Sequence, residues 1–178
     1  MFTQMTTPLI NILEKNKHQY YPVVPFEPEK DRLLKMNFTE TNQDLTKEVI
    51  EDVSAFSKYV DQQLGNAGAR YGIGGYAEHR SVYSRSNVFD APDGGEPRRL
   101  HLGTDIWGKA GTPVSAPLGG MVHSFKFNDA YGDYGATIIL LHQLESVAFY
   151  TLYGHLSLKD LAITEGQYIN RAEPFAHF

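Results

Sequence analysis

Between residues 46 and 64 the apolar side chains Val49, Val53, Phe56, Val60 and Leu64 recur at steps of three and four. That period gathers them into one stripe and predicts a helix over 46–64 that buries this stripe against a core. Glu48, Glu51 and Asp52 lie near its start, where carboxylates favour the helix dipole, and Gly65 and Gly68 close it. A shorter helix is predicted over 8–14, with Thr7 as N-cap and Pro8 at the first position. The prolines and aromatics of 20–26 read as an extended, packed segment.

Beyond Tyr71 the period shortens. Gly72, Gly74 and Gly75 predict a flexible stretch, 81–84 alternate weakly, and 90–95 form a turn cluster. After Arg98 come short β-like runs separated by turn residues: 113–117, the alternating 120–127, the apolar 136–142, then 148–155, 168–169 and 174–178. Strands this closely spaced predict an antiparallel β domain. We expect a mainly β chain with an N-terminal helical extension over 1–80 and a β domain over 81–178.

Composition narrows the partners. The chain has 178 residues, a formal net charge of −5 and no cysteine. An acidic balance without a Lys/Arg run argues against nucleic acid. Without cysteine, a metal has only His, Asp and Glu as ligands, and a thiol nucleophile is excluded. No stretch reaches the length of a membrane span. The first ten residues lack a basic and then apolar leader, so the chain as written is expected in the cytoplasm.

Two places carry chemistry. His101 and Asp105 stand four apart, just before Ile106 and Trp107. Imidazole nitrogen and carboxylate oxygen both suit Zn²⁺ at roughly 2.0–2.2 Å, and Gly103 allows a tight turn between them. Alone, such a pair is more often a structural hydrogen bond, and a catalytic zinc needs a third protein ligand. The second place is Tyr153-Gly154-His155, where His155 ends an apolar strand. A catalytic imidazole and a strand-end histidine bonded to a backbone carbonyl both fit it.

The order of segments adds a resemblance. Arg98-Arg-Leu-His-Leu-Gly-Thr-Asp-Ile-Trp, the run from Gly111 to Val122, Tyr134 to His142, Tyr150 to Ser157 and Glu165 to Arg171 follow one another as in the lysostaphin/LytM-type zinc endopeptidases. The chain resembles that family from about Arg98 onward. The resemblance implies a small two-sheet antiparallel fold of the duplicated hybrid motif kind. It also implies His101 and Asp105 as zinc ligands and His155 as a catalytic histidine that activates water or holds the oxyanion. His142 matches a frequent family position and is read as groove-adjacent or structural. Tyr83 and Arg85 are candidates to line or plug the groove, with Trp107, Tyr131 and Tyr134.

One departure matters. The family's His-x-His, which supplies the third ligand and a second catalytic histidine, is not in the sequence. Phe175 stands two residues before His177. The favoured expectation is that the chain continues to that motif; the others are a degenerate member and His177 as substitute ligand. Ala172 stands where the family often has glycine. The function implied is zinc-dependent hydrolysis of peptide bonds, with a peptide or peptidoglycan cross-link as substrate. That places the protein in the periplasm or at the cell wall, against the cytoplasmic reading. The alternatives are an inactive LytM-like binding or regulatory module and a phosphocarrier IIA-like domain using His142 and His155. Oligomeric state is not written in the sequence.

Overall fold

The computed structural model describes residues 8–80, 99–130 and 132–178. Among them are helices α1 (Pro8–Lys15), α2 (Lys47–Glu51) and α3 (Val53–Ala67). The strands are β1 (Leu33–Lys35), β2 (Tyr71–Ile73), β3 (Glu78–His79), β4 (Leu100–His101), β5 (Ile106–Trp107) and β6 (Pro113–Ser115). They continue as β7 (Gly120–Asn128), β8 (Gly135–Leu144), β9 (Val147–Leu156), β10 (Tyr168–Ile169) and β11 (Pro174–His177). The chain is mainly β, in several small sheets. None of its described helices is long and apolar enough to cross a membrane. Contacts divide it into two compact units, one of residues 1–25, 110–129 and 134–178, the other of 26–109 and 130–133.

The first unit is built on strand alternation. Its four-stranded antiparallel sheet runs β10-β7-β8-β9, and β6 pairs with β11 in a second antiparallel sheet. Along β8, Ala136, Ile138, Leu140, His142 and Leu144 are buried at every second position, as a period of two requires. Ile138 and Leu140 join Val114, Ala116, Val122, Ile169 and Ala176 in one core. The other sheet face carries a cross-strand row, Tyr168–Met121–Leu141–Tyr150, of which Tyr168, Met121 and Tyr150 are exposed. Strands 113–115, 120–128, 135–144, 147–156, 168–169 and 174–177 all fall where the pattern puts them. The 20–26 segment is tied in by Tyr21 N donating to Pro117 O (3.0 Å) and Ser115 N donating to Val23 O (2.8 Å).

The second unit packs α2 and α3 around Met36, Phe38, Leu45, Ile50, Phe56 and Val60. Trp107 lies against this core, its ring 5.3 Å from Phe38 and 5.5 Å from Phe56. Two expectations fail here. The helix over 46–64 is interrupted at Asp52, which is extended (φ −101°, ψ 116°) and whose carboxylate accepts from Ala55 N at 2.7 Å. Asp is a strong N-cap, so it starts a new helix instead of continuing the old one. Val53, at the head of that helix, is consequently 58% exposed and leaves the stripe. The glycine stretch is not loose either. Gly72 lies within β2, which pairs parallel with β1 and antiparallel with β5, and a Cβ there would stand 2.8 Å from Met36 Cγ.

Candidate active site

His101 and Asp105 belong to the second unit. His101 ends β4, opposite Glu78 of β3. Asp105 immediately precedes β5, and its carbonyl accepts from Gly74 N at 2.9 Å. The two side chains converge: His101 Nε2 is 3.4 Å from Asp105 Oδ1. His101 Nδ1 is 3.1 Å from Gly75 O. A carbonyl only accepts, so Nδ1 carries the proton, and in a neutral ring the Nε2 lone pair faces the carboxylate. Two acceptors that face each other need a positive charge between them, a proton or a cation.

The donor pair fits zinc. At 3.4 Å it is longer than an ordinary hydrogen bond. Two ligands at about 2.0–2.1 Å on a tetrahedral ion stand about 3.3–3.4 Å apart. Room is kept beside the ring nitrogen as well, because a Cβ on Gly103 would stand 3.1 Å from His101 Nε2. Gly103 has no left-handed φ, so it is needed for this close approach and not for the turn first inferred.

Behind the pair lies a buried cation. Arg80, 4% exposed, donates through Nη1 to Asp105 Oδ2 and through Nε to Glu78 Oε2 at 2.8 Å. Its guanidinium lies over the Phe38 ring, 5.3 Å from the centroid. Arg80 thus bridges two carboxylates, those of Glu78 and Asp105, within the second unit. Nothing in hydrophobic periodicity marks Arg80; only the Glu-x-Arg charge pairing of a short strand hinted at it.

His155 belongs to the first unit. It occupies a β-bulge: Ala136 pairs with Leu156 and Ile138 with Tyr153, so Gly154 and His155 oppose Thr137 alone. His155 takes a left-handed φ of 56°, and its N–H donates to Tyr134 O at 2.7 Å. Tyr153 and Leu156 both stay on the core while the bulge turns His155 to the surface, 6.2 Å from the Tyr134 ring. Bulges and left-handed non-glycine residues concentrate at functional sites because they re-aim one side chain at a local energetic cost.

The remaining candidates separate clearly. His142 is buried, 1% exposed, with Nδ1 3.0 Å from Gly119 O, Nε2 2.7 Å from Thr151 Oγ1 and its ring stacked on Phe149. Tyr153 continues this buried polar chain at 3.0 Å from Thr151, and burial raises its phenol pKa. His177, half exposed on β11, is oriented by Asp160, which accepts from its backbone N at 2.7 Å and lies 3.1 Å from its Nδ1. His123 is exposed and edge-on to Tyr150. Trp107 packs into its core, as described, while Tyr134 is 51% exposed. Tyr83, Arg85 and Tyr131 lie outside the described residues. Among the described residues no group of three or more His, Asp or Glu is assembled to hold a metal.

Residues 99–178 match peptidase family M23. The match spans 80 of the 178 residues and takes in His101, Asp105, His142, His155 and His177. It supports a peptidase-type function for this M23-like part of the chain and agrees with its mainly β architecture. No curated protein and no solved structure matches the chain.

Proposed function

We propose that the chain is a zinc-dependent endopeptidase in which His101 and Asp105 are two of the metal ligands and His155 is a catalytic histidine. The observation that carries this reading is the His101–Asp105 geometry: an imidazole whose Nδ1 is committed to Gly75 O, with Nε2 3.4 Å from a carboxylate oxygen. The M23 match gives the reaction class. Bound zinc would supply Lewis acidity and a water ionised near neutral pH. The chain's own residues do the rest. Gly75 fixes the His101 tautomer, Asp105 presents Oδ1, and the His155 ring stands out from its bulge to move a proton or hold a developing oxyanion. The row Tyr168–Met121–Leu141–Tyr150, exposed at Tyr168, Met121 and Tyr150, offers an apolar, aromatic surface on the first unit's sheet for a slim peptide. We take the substrate, on the resemblance, to be a peptide cross-link of the cell wall, a reading that calls for a location outside the cytoplasm.

One observation favours a second reading. With no three-donor group among the described residues, a binding or regulatory module of the same fold would need no complete site. The phosphocarrier alternative has less support, since both His142 nitrogens are engaged in a buried network. Zinc titration of the purified chain, paired with hydrolysis of glycine-rich peptides and of peptidoglycan, tests the proposal. One zinc per chain and peptide cleavage, both lost in His101→Ala, is the expected result. A chain that takes up zinc without cleaving either substrate, or takes up none, supports the module instead.

A further inference from the structure

We propose that Arg80 is a positioning residue of the metal site, holding Asp105 so that only one carboxylate oxygen is offered to the cation. This rests on the zinc reading above and extends it to a residue outside the 99–178 match. A carboxylate can bind zinc through either oxygen or both. Here Nη1 of Arg80 takes Oδ2, and Oδ1 is the oxygen that faces His101 Nε2. The guanidinium is itself fixed by the 2.8 Å bond from Nε to Glu78 Oε2, by the Phe38 ring beneath it and by near-complete burial.

The two donors are set by the same short piece of chain. Glu78 pairs with His101 across the β3–β4 ladder, and Arg80 follows β3 directly, with its N–H donating to Arg99 O at 2.9 Å. Pairing β3 with β4 therefore delivers the imidazole opposite Glu78 and, two residues later, the clamp on the carboxylate. Gly74 leaves this assembly little slack, because a Cβ there would stand 2.8 Å from Arg80 Nη2 and 3.1 Å from Asp105 Cβ. Such outer partners orient a ligand and tune its basicity, and their loss typically weakens metal binding by roughly 10–100-fold. The fork matters as well as the charge: lysine offers a point charge that cannot engage Glu78 and Asp105 in the same planar arrangement.

The test uses the full chain with zinc, measured by competition against a chelating dye, and with Co²⁺ as a spectroscopic reporter of coordination. Arg80→Lys retains the charge. The double variant Glu78→Gln/Arg80→Met removes one charge of each sign and so avoids stranding an unpaired buried carboxylate at Glu78. Both are expected to bind zinc about 10-fold or more weakly and to show an altered Co²⁺ absorption band. A merely structural arginine would lower the melting temperature and leave both metal readouts alone. Wild-type chain that binds zinc, with both variants binding within twofold of it and giving the wild-type Co²⁺ band, overturns this inference and leaves the metal site standing. Wild-type chain that binds no zinc overturns both.

Discussion

The corner around Asp105 and the bulge around His155 hold their side chains by different means. In the second unit Asp105 is fixed by charge, with Arg80 on one oxygen and Glu78 sharing the same guanidinium. In the first unit His155 is fixed by backbone: a two-against-one bulge, a φ of 56° and a 2.7 Å bond from its N–H to Tyr134 O. A side-chain clamp sets the position of particular oxygens and suits a ligand, whose geometry must be met within a few tenths of an ångström. A bulge sets the direction of a whole residue while leaving its ring exposed, which suits a group that must meet substrate. The first arrangement should fail when packing is disturbed and the second when strain is relieved.

Gly74→Ala gives the largest effect. The added Cβ meets a clamped guanidinium at 2.8 Å and the Asp105 Cβ at 3.1 Å, with no free end able to swing away. Overpacking of this kind costs about 1–3 kcal/mol, and zinc affinity should fall with it. Gly65→Ala is the contrast within the same unit. Gly65 lies in α3 with nothing within 4 Å of its Cβ position. That substitution should raise stability by about 0.5–1 kcal/mol. Thermal melts of the two variants check the pair; similar shifts would show that the corner has slack the geometry denies.

His155→Gly should act in the opposite sense on stability. A left-handed φ costs an L-residue roughly 1–2 kcal/mol, so glycine should stabilise the first unit by about 1 kcal/mol while peptide hydrolysis falls about 100-fold or more. Ala172, at φ 70°, carries the same strain elsewhere in that unit. Ala172→Gly should stabilise by a similar amount with activity unchanged. Loss of stability in His155→Gly alone would mean that the ring is held by contacts, and the proposed catalytic role would lose its structural argument.

These sites also mark where the sequence was readable. Strand positions in the first unit followed from short runs between turn residues, alternating over 120–127 and continuously apolar over 136–142, where β8 buries every second residue from Ala136 to Leu144 and Thr137 as well. His101 and Asp105 were visible because only four positions separate them in the sequence. Arg80 was not, because it meets Asp105 25 residues away through strand pairings too short to leave a period. The break at Asp52 was missed because an apolar stripe is blind to a cap within it. The departure at Ala172 has a physical meaning only in the structure, where its left-handed φ explains why glycine suits that position.

The smallest effect probes a charge-held contact in the first unit, set against the backbone-held His155. Glu145 sits in the β8–β9 turn at φ 53° and accepts from Lys15 Nζ (2.8 Å) and Asn16 Nδ2 (2.9 Å) at the end of α1. The hydrogen bond from Lys15, followed by that from Asn16, lowers its pKa below the usual glutamate value. With the folded pKa depressed, the folded state binds fewer protons than the unfolded one as pH falls through the carboxylate range. The contact's stabilisation is then present above the ordinary glutamate pKa and lost as pH drops through the lowered one. Lys15 is 71% exposed, so salt should weaken the contact as well. Hydrogen exchange should show α1 amides protected at neutral pH and less so in acid, with Glu145→Gln already at the acid level when neutral. Equal protection in wild type at both pH values would assign the anchoring of α1 to packing.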